Sequence, residues 1–96
     1  MSKRIDDIWK AVEAAHGCWA RHIKSVPVRE MFGDKVAWEG VVEVFEIDGH
    51  AKAKRCYAWS YFDKGETQFT TVLEIPPVVS PETAVKVAVA ASARRR

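Results

Sequence analysis

Two long β-type runs flank Asp48-Gly49, and this pair constrains the fold more than any other feature of the chain. Asp-Gly between alternating apolar residues is a strong hairpin signal, because a tight two-residue turn needs positive φ, which Gly takes freely. With Asp48 and Gly49 as the turn, Trp38 faces Trp59, Val36 faces Tyr61, Gly40 faces Tyr57 and Glu43 faces Lys54. An aromatic ring over a strand glycine and an ion pair across a ladder are favourable neighbours. The acidic first run (Glu39, Glu43, Glu46) and the basic second run (Lys52, Lys54, Arg55) then read as partners within one hairpin. A second turn at Asp63-Lys64-Gly65 reads as a three-residue loop, which sets Phe69 against Trp59 and Glu74 against Lys54. Trp38, Val42, Val44, Tyr57, Trp59, Phe69 and Leu73 then share one apolar face. The other face is mostly polar, apart from a row of Val41, Cys56 and Val72.

Around this meander the spacing predicts helices. Ile5, Ile8, Trp9, Val12, Ala15, Trp19 and Ile23 recur at three and four, the stripe of an amphipathic helix. Pro27 biases Val26 out of helical geometry and ends that helix near Lys24 or Ser25. Gly17 then falls inside the helix, at a cost of roughly 1 kcal/mol relative to Ala, and a close packing contact would explain it. Residues 26–34 read as a loop closed by Gly33-Asp34. Pro76-Pro77 ends the sheet. Ser80-Pro81-Glu82 is a helix start, with an N-cap, a proline in the first turn and an acid. Residues 81–92 follow as an Ala-rich helix; the alternation of Val85, Val87 and Val89 leaves a fourth strand as the other reading. A helix this apolar on all sides must be buried on more than one side.

Ninety-six residues, 48% apolar and 29% charged, suit one globular domain spanning 1–96 and exclude a disordered or collagen-like chain. No run is long and apolar enough to cross a bilayer, and no leader-like segment precedes the first helix. Fifteen Lys and Arg stand against thirteen Asp and Glu. Three of the fifteen, Arg94, Arg95 and Arg96, form a basic tail over about 93–96, and the remainder is close to neutral. A domain-wide basic surface is therefore not expected. Cys18 and Cys56 fit no metal or redox spacing, and a reducing cytoplasmic setting with free thiols is the default.

Chemistry-bearing groups do not converge. Cys18 and His22 are four apart, so on a helix they share a face, where an imidazole activates a thiol. That pair is the candidate for a thiol enzyme. The further ligands a zinc site needs would come from His16, His50 or Cys56, which the predicted elements place apart. No catalytic set, metal or cofactor is therefore expected.

The segment Arg55-Cys56-Tyr57-Ala58-Trp59-Ser60-Tyr61-Phe62 resembles the RNA-binding strand of RNA-recognition-motif domains, departing from it at Cys56 and Ser60. The resemblance implies aromatics exposed for base stacking. Those aromatics lie instead on the face that builds the core. The element order, with Gly49-His50 at the hairpin and Ser80, Ala84, Ala88 and Ala91 in the last helix, is similar to that of double-stranded-RNA-binding domains. Where that family carries phosphate-gripping lysines this chain has Pro81, Glu82 and Val85, and retains Lys86 alone.

The reading is an α+β two-layer sandwich in the order αβββα, with the first helix over the aromatic face and the second at the same face or its edge. The function expected is a non-catalytic binding or interaction module acting as a homodimer, which joins through the last helix or the Val41, Cys56 and Val72 row. Trp19, Trp38, Trp59 and Tyr57 are the candidate ligand-binding residues, around a pocket between helix and sheet. The alternative is nucleic-acid binding through Lys52, Lys54, Arg55, Arg94, Arg95 and Arg96, which salt would weaken steeply.

Overall fold

Gly17, not Pro27, ends the first helix. The computed structural model describes residues 3–94, and in it α1 spans Lys3–His16. Gly17 follows with φ of 61°, and its N–H donates to the Glu13 carbonyl at 2.9 Å. This is the left-handed residue that closes a helix C-terminus. A Cβ at Gly17 would meet nothing within 4 Å, so the glycine serves backbone conformation and not packing.

Beyond it the chain is extended. Four strands follow: β1 (Trp19–Phe32), β2 (Lys35–Asp48), β3 (Arg55–Asp63) and β4 (Glu66–Leu73). Helix α2 (Pro81–Arg94) closes the order. The α+β class holds, but the sheet has four antiparallel strands in the order β1-β2-β3-β4, where three were expected. The added strand is β1, which takes in the end of the expected helix and the expected loop at 26–34. Pro27 is tolerated because β1 lies at the sheet edge, where a missing N–H breaks no ladder.

Gly33-Asp34 forms the two-residue turn between β1 and β2, with Gly33 at φ of 64° and Phe32 paired with Lys35. The acidic residues of β2 find their partners on β1. Arg29 pairs with Glu39 and Arg21 with Glu46, each at 2.7 Å.

Asp48-Gly49 is not a tight hairpin turn. The connection runs from Gly49 to Lys54, and Nδ1 of His50 accepts the amides of Lys52 and Ala53 at 3.1 and 3.0 Å. Ala53 is buried in the core under this loop. The added length slides β3 by four residues, so Glu43 pairs with Ala58 and not with Lys54. Lys64 and Gly65 both take positive φ and make a two-residue turn between β3 and β4. Trp59 therefore pairs with Thr70, and Phe69 moves to the opposite face.

Both faces of the sheet are covered, so the molecule has three layers and not two. Ile8 and Val12 of α1 pack on Phe45, Ile47, Cys56 and Ala58. Full burial of such a side chain stabilises by about 1.5–3 kcal/mol relative to exposure. Two hydrogen bonds fix the start of β1 to this helix: Trp9 Nε1–H donates to the Ala20 carbonyl at 2.6 Å, and the Ala20 N–H donates to Glu13 Oε2 at 2.9 Å. On the other face, Ala84 and Val85 of α2 pack on Val28, Val42, Val44, Tyr57 and Trp59. Residues 81–94 are helix and not a fifth strand, started by a reciprocal cap. Ser80 Oγ accepts the Thr83 N–H at 3.2 Å, and Thr83 Oγ1 accepts the Ser80 N–H at 2.9 Å.

The expected apolar row of Val41, Cys56 and Val72 does not form, because Cys56 packs under α1 while Val72 packs with the α2 cluster. Nor is α2 apolar and buried all round, since Lys86, Val87 and Ala90 are exposed. No helix among the described residues is long and apolar enough to cross a membrane.

Candidate functional site

A groove of about 1060 Å³ follows strand β4. Trp38, Trp59, Tyr61 and Phe69 line one part of it, and Val87, Ala88 and Ala91 of α2 form a wall. Thr70, Thr71, Val72 and Leu73 run along it, and it reaches His16 at the end of α1. Because β4 is the last strand of the sheet, the groove wraps its outer edge from one helix toward the other.

Its aromatic end is fixed by packing. The rings of Trp38 and Trp59 meet edge to face, with centroids 5.4 Å apart. Trp38 also lies over Gly40, where a Cβ would sit 2.9 Å from Cη2 of the indole. Glycine is thus required at position 40 to admit the ring. At the other end Nε2 of His16 is 2.9 Å from Oγ1 of Thr71. Burial, and then the neighbouring His50, hold the His16 imidazole below its ordinary pKa. A neutral ring that joins α1 to β4 is the result.

On the α1 face a buried acid has gathered its own partners. Glu43 is fully buried, flanked by Val42, Val44 and Phe45, which are buried as well. Its Oε2 accepts from Arg4 of α1 at 2.5 Å, and its Oε1 accepts from His22 Nε2 at 2.8 Å and from the Ser25 hydroxyl. Burial pushes the carboxyl pKa up, but the hydrogen bonds from Ser25, Arg4 and His22 and the charge of Arg4 outweigh it. The net position is below the ordinary value. An acid held ionised in this way is a poor general base and a strong tether between α1, β1 and β2.

Of the four expected ligand-binding residues, Trp38 and Trp59 line the groove. Tyr57 does not: it is buried in the core, its hydroxyl donates to Glu74, and burial, then Glu74, push its pKa up to about 12. Trp19 is 78% exposed at the start of β1 and is not among the groove residues. Lys52 and Lys54 are exposed on the β2–β3 connection beside Arg55, which opens β3. Burial of Tyr57 and Trp59 leaves that basic cluster without the stacking surface that nucleic-acid recognition would need from them. Arg94 is the last residue of α2, and Arg95 and Arg96 lie outside the described residues.

The expected pairing of Cys18 with His22 is overturned, because the helix ends before both. Cys18 sits in the link to β1, and His22 lies on β1 with Nε2 engaged by Glu43. Burial, and then Glu13, push the Cys18 thiol up, and burial pushes Cys56 up to about 12. Neither thiol has the depressed pKa of a nucleophile. Among the described residues no group of three or more His, Cys, Asp or Glu is placed to hold a metal ion.

Sequence reasoning missed the Glu43 cluster and the edge of the groove. The continuous run Val41–Phe45 carried a signal for the first, since strands covered on both faces lose their alternation. Comparison with protein-family models, with curated proteins and with solved structures finds no match for this chain.

Proposed function

We propose that the chain is a non-catalytic interaction module that receives an extended polypeptide segment in the groove along β4. The observation that carries this reading is the groove itself, an open strand edge with apolar and aromatic walls on one side. Strand addition combines these elements: backbone hydrogen bonds at the edge supply affinity, and pockets for alternate side chains supply selectivity. The raised thiol pKa values and the tethered state of Glu43 favour binding over catalysis.

The test uses a fluorescein-labelled, Lys-capped peptide of alternating Thr and Val, kept at trace concentration while the chain is titrated. Saturable anisotropy that is lost in Val87→Glu supports the module. Absence of binding at concentrations where the chain is monomeric, or binding unchanged in Val87→Glu, overturns it.

A further inference from the structure

The two edges of the sheet are built differently. The β1 edge carries Pro27, the charged residues Arg21, Lys24 and Arg29, and a register shift at each end, between His22 and Lys24 and between Glu30 and Met31. Prolines, bulges and charges are the usual means by which an edge strand is kept from pairing with another chain. Past its first residue, Glu66, the β4 edge has none of them. From Thr67 to Leu73 it reads Thr-Gln-Phe-Thr-Thr-Val-Leu, without charge, proline or register shift. Three of its seven residues are Thr and one is Val, all β-branched and suited to a strand. Phe69 on β4 and Val87 on α2 are each 38% exposed, and Tyr61 of β3 is 45% exposed.

We infer that the occupant of the groove is a second copy of this chain, joined by antiparallel pairing of β4 with β4 about a two-fold axis at Phe69. This rests on the reading of the β4 groove as the working surface. An axis perpendicular to the sheet keeps like faces together, so each residue meets one of its own face. Phe69 then faces Phe69 of the second copy, Thr67 faces Thr71, and Gln68 faces Thr70. At the ends Glu66 falls opposite Val72, and Lys64 falls beside Glu74. No like charges are opposed anywhere along this register, and the Lys64 and Glu74 pair at each end is complementary. A two-fold one residue further on, at Thr70, would set Glu66 against Glu74, and like charges directly opposite are unfavourable. The aromatic pair at the centre joins side chains with a strong mutual preference across strands. Pairing joins two four-stranded sheets into one of eight strands and leaves the guarded β1 edges outermost. A β1–β1 contact would instead bring Pro27 and the two register shifts into the ladder.

Sedimentation equilibrium of the full chain over a range of concentrations is the test. A dimer is expected, with a dissociation constant roughly tenfold larger in Phe69→Lys, which opposes two cations at the axis. Lys64→Glu is expected to weaken it less, because it sets a new carboxylate against Glu74 only at the two ends. Circular dichroism of each variant shows that its fold is intact. The register is read independently from Phe69→Cys, which is expected to form a disulfide-linked dimer under mild oxidation, whereas Thr67→Cys is not. A monomer at all concentrations, or a dimer indifferent to Phe69→Lys and Lys64→Glu, overturns the self-pairing. If that monomer still binds the Thr/Val peptide, the interaction module stands and only its occupant is wrong. If it binds neither, both readings fall.

Discussion

The two faces of the sheet carry equal helices and differ in how they are finished. Under α1 the cluster of Ile8, Val12, Phe45 and Cys56 is closed at its side by a saturated network, in which Arg4, His22 and Ser25 meet Glu43. Under α2 the packing begins as tightly, at Ala84 and Val85 on Val44 and Tyr57, but it ends in an unfilled groove at Trp38 and Trp59. A buried charge with every oxygen engaged fixes a unique arrangement, because any slippage leaves it unpaired. An aromatic wall facing a groove holds no such penalty and can accept a newcomer. One face is therefore closed by its polar network, and the other ends in an open groove.

Truncation at the closed face should have the largest effect. Phe45→Ala empties a site with 0% exposure between Trp9 and His22. It is expected to lower unfolding free energy by about 3–5 kcal/mol in urea titration, as for other buried Phe residues. A loss under about 1 kcal/mol would mean the α1 face is as loose as the other.

Next in size is Glu43→Gln, expected to cost about 3 kcal/mol at neutral pH by leaving Arg4 and His22 with a weaker acceptor. The pH dependence has a definite sign. The folded carboxyl lies below its ordinary pKa, so its contribution is complete above the ordinary carboxylate range. That contribution is lost as pH falls through the folded value. The gap in urea midpoint between wild type and Glu43→Gln should thus shrink on acidification. A gap constant down to pH about 3 would show that Glu43 does not stabilise through its charge.

The smallest effect is expected at the open face. Trp38→Ala removes a half-buried ring beside the groove, and a loss of about 2 kcal/mol is expected, below that of a fully buried tryptophan. Quenched fluorescence of Trp59 in the variant would show that the cavity admits water. Equal losses at Trp38 and Phe45 would erase the contrast between the faces.

The register differences explain which parts of this arrangement are legible in the sequence. Sliding β3 by four residues relative to β2 keeps every side chain on its face, so Trp38, Val42, Val44, Tyr57 and Trp59 group together in either register, with different partners. Shifting β4 by one residue reverses the faces, so Phe69 and Leu73 lie on the side opposite to the one expected. Strand β1 is hidden because Trp19 and Ile23 extend the three-four spacing of α1 past its true end. Period-two burial at Val26 and Val28 is masked by the proline between them. With β1 unrecognised, β3 offers the nearest basic partners for Glu39 and Glu46, though Arg29 and Arg21 supply them. The Glu43 cluster joins residues from three elements, and no local pattern announces such a meeting. The groove is legible only as far as its two tryptophans, since its extent depends on which strand ends the sheet.

The β2–β3 joint has a consequence for how the chain reaches this state. β1 and β2 pair from Trp19 and Asp48 down to a two-residue turn, and β3 and β4 do likewise from Cys56 and Leu73. The two ribbons are joined through Glu43–Glu46 against Arg55–Ala58. Each ribbon closes its ladder locally, at small cost in loop entropy, and hairpins of this kind form in about 1–10 μs. The short joint closes across a longer loop than either turn, and it brings Glu43 and Ala58 together under α1. Changes at Glu43 or Ala58 are therefore expected to slow folding more than changes at either turn, an ordering that stopped-flow refolding of the variants checks.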